Sequence, residues 1–203
     1  VFAAALTTDD SIDFITVLGD TLDLGTPSDG TVVPASMGTT AVTALTAGTG
    51  ITNGTGTVYR SDVQKLGNIY HTRILIDLTG LASSGSGDII GKAGTANSHI
   101  GQITAAINGT VLSGKITCME APAGGDPDIN LWYADEATGA EDAAITSLTN
   151  QVQMCDSGDF AIGTVVGIPT PPAADKYLYM VTGAATNADY TAGKLLIELF
   201  GYV

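Results

Sequence analysis

The sequence predicts an all-β protein, an antiparallel β-sandwich or jelly roll that carries an extended N-terminal arm. About ten short runs rich in β-branched, aromatic and leucine residues recur at a spacing of roughly 8–15 residues. Turns rich in glycine, proline and asparagine separate these runs. Only residues 135–150 compete for a helix, so the pattern as a whole favours strands.

The clearest strand occupies the middle of residues 57–91. From Tyr70 to Leu78 the even positions are mostly apolar, whereas the odd positions hold a mixture that includes His71, Arg73 and Asp77. Alternation with a period of two predicts a strand whose even-numbered face covers a core. The strand should break at Thr79-Gly80, cross a Ser/Gly loop, and resume over residues 88–91.

The other elements follow from the same two signals, β-rich runs and turn residues. Residues 12–18 and 22–24 are predicted strands, residues 31–56 form an extended segment, and later strands are predicted at 99–107, 111–119, 128–134, 152–155, 160–168, 176–182 and 194–200. Asn108-Gly109 predicts a tight hairpin between 99–107 and 111–119. Two prolines and two glycines predict an irregular loop at 120–127, and 183–193 should link the last two strands.

Residues 135–150 leave two interpretations open. Glu141-Asp142 would suit the first turn of a helix, and Ala144, Ile145 and Leu148 would make a narrow apolar stripe. The threonine and serine residues nearby oppose a helix.

The chain divides into two parts by composition. Residues 57–203 should form the β-sandwich domain, with a jelly-roll-like arrangement. Residues 1–56 should form an extended arm with peripheral strands, since the stretch from 31 to 56 offers little that could fill a core. Such a segment gains its ordering energy from a partner.

Charge and cysteine usage exclude several classes of protein. Twenty-one acidic residues stand against seven basic ones, a formal net charge of −14. This surface repels phosphate groups and anionic lipids, so we expect neither a nucleic-acid partner nor a membrane partner. Cys118 and Cys155 are too few for a disulfide framework. We expect both to be free and buried, with a single bridge as the alternative.

No motif in the sequence indicates catalysis or a bound cofactor. His71 and His99 lack the spacing of a metal site, and we interpret both as surface or interface polar residues. No G-x-S-x-G motif is present, so we expect a non-enzymatic protein with no cofactor and no metal. Acidic pairs are interpreted as turn residues, although a calcium loop at Asp126-Pro127-Asp128 stays open.

Aromatic residues also admit two interpretations. A sugar-stacking platform would need an exposed row, whereas core packing or an oligomer interface would bury the same rings. The residues concerned are Trp132, Tyr133, Tyr177, Tyr179 and Tyr190.

Three stretches resemble virion structural proteins of tailed bacteriophages, especially marine and cyanobacterial ones. They read TGTVYRSDVQKLGNIYHTRILIDLTGLASSGSGDIIG, ITCMEAPAGGDPDINLWYA and YLYMVTGAATNADYTAGKLLIELFGY. The matching pieces are the turn at 77–81, the run 88–91, the loop 118–125 and the strand entry 190–193. The resemblance covers about residues 57–203, and the residues before its first stretch carry none.

This resemblance implies a protein that decorates or cements the outer surface of an icosahedral capsid, often as a trimer at junctions between major capsid proteins. Contacts are expected in residues 1–15 and near the strand edges of 77–90. The individual candidates are Val1, Phe2, Leu6, Phe14, His71, Arg73, Asp77 and Tyr190. Two alternatives remain: a carbohydrate-binding or head domain of a tail fibre or surface protein, and a self-assembling capsid or filament subunit.

Overall fold

The computed structural model describes residues 43–52, 59–184 and 188–203, all within the second of two units into which the chain divides, residues 34–203. These residues form an all-β protein, as predicted. The strands are β1 (Tyr59–Leu66), β2 (Ile69–Asp77), β3 (Ala82–Ser83), β4 (Gly101–Ile103), β5 (Thr110–Ala123), β6 (Ile129–Ala134), β7 (Val152–Cys155), β8 (Val165–Gly167), β9 (Lys176–Thr182), β10 (Ala188–Asp189) and β11 (Ala192–Tyr202). A four-residue helix, α1 (Ala105–Asn108), and a 3₁₀ turn (Ile145–Ser147) complete the elements.

Two antiparallel sheets make up the body of the structure. The five-stranded sheet has the order β1-β2-β11-β5-β8, and the four-stranded sheet has the order β4-β9-β6-β7. β3 and β10 form a separate two-stranded pair. The sandwich prediction is confirmed, whereas jelly-roll connectivity stays a prediction.

One continuous apolar core lies between the two sheets. Ile74, Ile116 and Ile197 come from the five-stranded sheet, while Leu131 and Met180 come from the four-stranded sheet. All five are buried. Burial of such side chains supplies most of the stabilisation, about 1.5–3 kcal/mol for each large apolar side chain.

The central strand follows its predicted alternation. The predicted core face, from Tyr70 through Leu78 at even positions, is buried throughout. β1 and β2 form a hairpin in which Leu66 pairs with Ile69, so the turn is Gly67-Asn68. Gly67 has φ 60°, which a two-residue hairpin turn requires and which glycine adopts without steric cost.

A second apolar cluster covers the outer face of the four-stranded sheet. Tyr179 and Val181 on β9 pack against Ile89 and Ile145, which belong to the connecting segments 84–97 and 135–150. Ile89 exchanges backbone hydrogen bonds with Ala143 and Asp142. The four-stranded sheet is therefore buried on both faces, and β9 reads as an almost continuous run of buried residues.

The predicted Asn-Gly hairpin is wrong. β4 pairs with β9, and β5 pairs with β11 and β8, so residues 99–107 and 111–119 are not partners. Asn108-Gly109 instead ends α1: Thr104 Oγ1 accepts the Ile107 N–H at the start of this helix, and Gly109 has φ 66° at its end. A glycine with positive φ suits a helix end as well as a hairpin, and the local signal does not separate them.

Other boundaries also differ from the predictions. β5 continues through Pro122 to Ala123, because Ala123 pairs with Ala192 beyond an irregularity in the register. Residues 135–150 contain the 3₁₀ turn and no α-helix, which resolves the open alternative toward a loop. Residues 88–91 make isolated bridges to three different partners. The predicted strand at 160–168 shortens to β8.

The predicted arm is described only at residues 43–52. Within it, Thr43 bridges Val63 of β1, and Leu45 and Ile51 are buried in the core. The predicted strands at 12–18 and 22–24 lie outside the described residues. Among the described residues, no helix has the length and hydropathy needed to cross a membrane.

Candidate interaction surface

Five of the nine large apolar side chains that the described structure exposes to solvent lie on one face of the five-stranded sheet. All nine lie in strands of the five-stranded sheet or next to them: Leu66, Ile69, Leu75, Leu112, Met119, Ile162, Val165, Tyr202 and Val203. Leu66 is 80% exposed, and Ile69 and Tyr202 are each 53% exposed. Clustered exposure of this kind is typical of an interaction surface, whereas single exposed apolar residues are ordinary.

The register of the five-stranded sheet orders its outer face into five rows that run across the strands. The rows, from one end of the sheet to the other, are Leu66/Ile69/Tyr202/Thr110, then Gln64/His71/Phe200/Ser113, then Asp62/Arg73/Glu198/Lys115, then Arg60/Leu75/Leu196/Thr117/Val165, and finally Asp77/Lys194/Glu120. We call this set the outer face. No described segment covers it, in contrast to the outer side of the four-stranded sheet.

The middle row alternates in charge from strand to strand. Arg73 makes a bidentate contact with Asp62, donating from Nε to Oδ1 at 3.0 Å and from Nη2 to Oδ2. Lys115 Nζ lies 2.9 Å from Glu198 Oε2. The hydrogen bond from Lys115, with further help from His71, holds the pKa of Glu198 below its usual range, and the bond to Asp62 raises the pKa of Arg73.

His71 joins the middle row to the aromatic row beside it. Its Nε2 lies 3.1 Å from Glu198 Oε1, and its ring stacks on that of Phe200 with centroids 4.7 Å apart. In the last row, Lys194 contacts Glu120 directly, which raises the pKa of the lysine. Six of the eight charged side chains of the outer face are therefore paired with one another on that face, whereas Arg60 and Asp77 bond to backbone groups.

The outer face carries no net charge, although the chain is strongly acidic. It holds four basic residues (Arg60, Arg73, Lys115 and Lys194) and four acidic ones (Asp62, Asp77, Glu120 and Glu198). The other described residues include three basic and eleven acidic side chains. An open depression of about 400 Å³ lies on the face, lined by residues that include Arg60, Arg73, Leu75 and Leu196.

Three of the predicted contact residues lie on this face. His71, Arg73 and Asp77 project from alternate positions of β2, as their period-two pattern predicted. Asp77 Oδ1 accepts the N–H of Thr79 at 3.0 Å, which shapes the turn after the strand. The predicted contacts at Val1, Phe2, Leu6 and Phe14 lie outside the described residues.

Tyr190, the eighth predicted contact residue, is in the core. It is 1% exposed, and its hydroxyl donates to the carbonyl of Asp126 at 2.9 Å. Burial raises its pKa, and its ring fills the space that a Cβ on Gly125 would occupy. The side chain is therefore not available to a partner, and the interface interpretation of Tyr190 is corrected to core packing.

The remaining aromatic residues form no exposed row in the described structure. Tyr179 is fully buried, with its hydroxyl donating to the carbonyl of Glu136 and accepting the N–H of Gly139. Trp132 and Tyr177 pack against the second apolar cluster. Core packing is thus the outcome for most of the rings that the sequence left open.

The second histidine and the two cysteines also lie inside. His99 is buried between Tyr177 and Tyr179, with centroids 5.1 and 6.5 Å away, and burial lowers its pKa. His99 was interpreted as a surface or interface polar residue, and the structure buries it instead. Cys118 and Cys155 are free and buried, as predicted, and burial raises the pKa of both thiols.

The acidic residues Asp126 and Asp128 have different hydrogen-bonding environments in the described structure. Asp126 accepts the N–H groups of Asp128 and Ala184 at 3.0 and 2.8 Å. Asp128 Oδ1 is buried without a hydrogen-bond partner, and burial, together with Asp126, Asp156 and Asp159, raises its pKa. The described residues contain no group of three or more His, Cys, Asp or Glu side chains placed to hold a metal ion.

Sequence reasoning missed the half of the outer face that β11 and β5 supply. In β11, Leu196, Glu198 and Phe200 alternate with the buried residues Leu195, Ile197 and Leu199. This period-two alternation is enough to predict which side chains of β11 share a face. Their adjacency to His71 and Arg73 could not be predicted, because no local signal in the sequence indicates that β11 pairs with β2.

Comparisons with protein-family models, with curated protein sequences and with solved structures find no match to this chain.

Proposed function

We propose that this protein is a bacteriophage virion structural protein that decorates and cements the capsid by binding the assembled lattice of the major capsid protein. The observation that carries the proposal is the outer face, which no described segment covers, with its exposed apolar rows and zero net charge in a chain of net charge −14. Exposed apolar rows without net charge lower the solubility of an isolated protein. Such a face is typical of a subunit that works in an assembly.

The proposed mechanism is mass action. A protein that binds only the assembled lattice stabilises it by the free energy of binding, which grows with the concentration of free protein above the dissociation constant. At about 100 times that constant, one site contributes about 2.7 kcal/mol. No catalytic step is involved, and residues 1–15 together with the edges near 77–90 are the proposed contacts with the major capsid protein.

Co-sedimentation with purified capsids tests this function. The full chain is mixed with assembled capsids and, separately, with dissociated capsid protein. We expect the chain to sediment only with the assembled particles and to raise their melting temperature. A chain that stays in the supernatant at all ratios would contradict the proposal.

The predicted contacts in the N-terminal stretch allow a sharper form of the same experiment. Phe2→Asp combined with Leu6→Asp should weaken sedimentation with capsids without altering the unfolding curve of the protein. The matched control is Thr7→Asp combined with Thr8→Asp, which adds the same charge without removing an apolar side chain. Equal loss in both variants would indicate that charge alone is responsible and would contradict the proposed apolar contacts.

A self-assembling capsid or filament subunit is the second candidate, because an uncovered apolar face would serve that function as well. Its signature is the formation of large particles or filaments by the isolated chain. The carbohydrate-binding alternative has less support, because Tyr190 is buried and Trp132 packs into the second apolar cluster. Retention on a polysaccharide column would revive it.

A further inference from the structure

We infer that the outer face is the docking site for a second copy of this chain, related to the first by a two-fold axis that runs along the strand direction between β2 and β11. This inference deepens the proposed function by naming the partner of the face. It rests on the order of charges in the middle row, the composition of the flanking rows, and the charge of the rest of the molecule.

The middle row is its own electrostatic complement under this rotation. Across β1, β2, β11 and β5 its charges read minus, plus, minus, plus: Asp62, Arg73, Glu198, Lys115. A two-fold axis along the strands reverses the strand order in the second copy. Asp62 then faces Lys115 of the second copy, and Arg73 faces Glu198, so every facing pair has opposite sign.

The same rotation brings apolar rows onto apolar rows. Leu75 faces Leu196 of the second copy, and Ile69 faces Tyr202, because these pairs are neighbours across the β2–β11 boundary. A two-fold axis across the strands would instead place Asp62 over Asp62. The axis along the strands is therefore the favourable choice.

Charge distribution argues against other faces as the site of contact between copies. Outside the outer face, the described residues hold eleven acidic side chains and three basic ones, so two copies meeting elsewhere would bring like charges together. The charges of the middle row already have partners within each copy. That arrangement reduces the cost of removing them from water when the face is buried.

The area is sufficient for a specific pair. Four strands about 4.8 Å apart, each about nine residues long at about 3.3 Å per residue, cover about 600 Å². Two copies would then bury about 1,200 Å², the lower end of the range for specific interfaces. We expect a reversible dimer.

Sedimentation of the full chain without capsids tests the inference, so its failure is distinguishable from failure of capsid binding. The chain should sediment as a dimer with twice the monomer mass of 20.5 kDa. Ile69→Glu, which puts a charge into the first apolar row, should raise the dissociation constant at least about tenfold. Ile162→Glu is the matched control, since Ile162 is 74% exposed but lies outside the five rows, and it should leave the dimer intact.

A charge-inverted variant tests the orientation of the two copies. Asp62→Lys, Arg73→Glu, Glu198→Lys and Lys115→Glu together preserve both ion pairs of the middle row within a copy and every facing pair between two like copies. The contact of residue 198 with His71 is lost in this variant. This variant should form its own dimer but should not mix with the wild-type chain, because the facing pairs then carry like charges. A monomeric wild-type chain, a trimer, or free mixing of the two forms would each overturn the inference. A monomer would leave the face to the capsid protein or to residues of this chain outside the described ranges.

Discussion

At the scale of single residues, Asn108 shows how one buried side chain joins two elements. Its Nδ2 donates to Thr72 Oγ1, and its Oδ1 accepts the Thr104 N–H, both at 2.9 Å. The side chain is fully buried, so water cannot replace either partner. This residue therefore fixes α1 against the inner face of β2.

We expect Asn108→Ala to lower the free energy of unfolding by about 2–3 kcal/mol, because it leaves the Thr104 N–H and the Thr72 hydroxyl unsatisfied. Urea unfolding followed by tryptophan fluorescence measures the change. Thr72→Val and the double variant complete a double-mutant cycle, in which a coupling near zero would contradict the role of this hydrogen bond.

The half-buried carboxylate of Asp128, whose Oδ1 has no hydrogen-bond partner, should reduce stability at neutral pH. The pKa of Asp128 is raised in the folded state, so the folded protein binds this proton more tightly than the unfolded chain does. The resulting stabilisation is fully present below the ordinary carboxyl pKa and is lost as the pH rises through the raised pKa. Asp128→Asn should therefore shift urea unfolding at pH 7 to higher concentration. We expect the gain to stay under about 1 kcal/mol, because water reaches part of the carboxylate.

Asp126→Asn is the comparison for this prediction. Asp126 accepts two backbone N–H groups, so replacing a carboxylate oxygen with an NH₂ group should destabilise the protein.

The gain in the free energy of unfolding from Asp128→Asn should be smaller at pH 4 than at pH 7. A gain that is the same at both pH values would exclude the electrostatic explanation.

At the scale of elements, the close approach of α1 to β11 depends on a glycine. A Cβ on Gly201 would lie 1.9 Å from the carbonyl oxygen of Asn108, so a larger residue must displace the helix end. Gly201→Ala should destabilise the protein by more than about 2 kcal/mol. Gly167→Ala in β8 is the control, because a Cβ there has no atom within 4 Å and should cost little. Calorimetry compares the two, and equal melting temperatures would contradict this packing.

Single elements were largely predictable, and their partners were not. The last two predicted strands correspond to β9 and β11 to within two residues, because residues 176–182 and 192–202 combine β-branched, aromatic and leucine residues between clear turns. The short strand β10 between them was not predicted. The loop between β9 and β11, however, links two different sheets. The hairpin predicted at Asn108-Gly109 was wrong because the same dipeptide is common both in hairpin turns and at helix ends. The outer face could be predicted strand by strand, but its rows exist only through pairings between strands distant in sequence.

At the scale of the whole molecule, the two thiols report on the separation of the sheets. Cys118 lies on β5 and Cys155 on β7, and both face the shared core. We expect neither to react with a disulfide reagent until the sandwich opens, because both are buried and burial raises the pKa of each. Single variants Cys118→Ala and Cys155→Ala should react at the same rate in moderate urea. A tenfold difference would show that one sheet opens independently.

The order of strands in the five-stranded sheet has a consequence for how the chain is made. β11 lies between β2 and β5 and is their common partner, yet it is the last strand of the sheet in sequence. While a ribosome is still translating the residues before 192, β1 and β2 can pair as a hairpin, but β5 has no neighbour on that side. The nascent chain therefore exposes two unpaired strand edges until the final strand emerges, and this interval is when aggregation is most favoured.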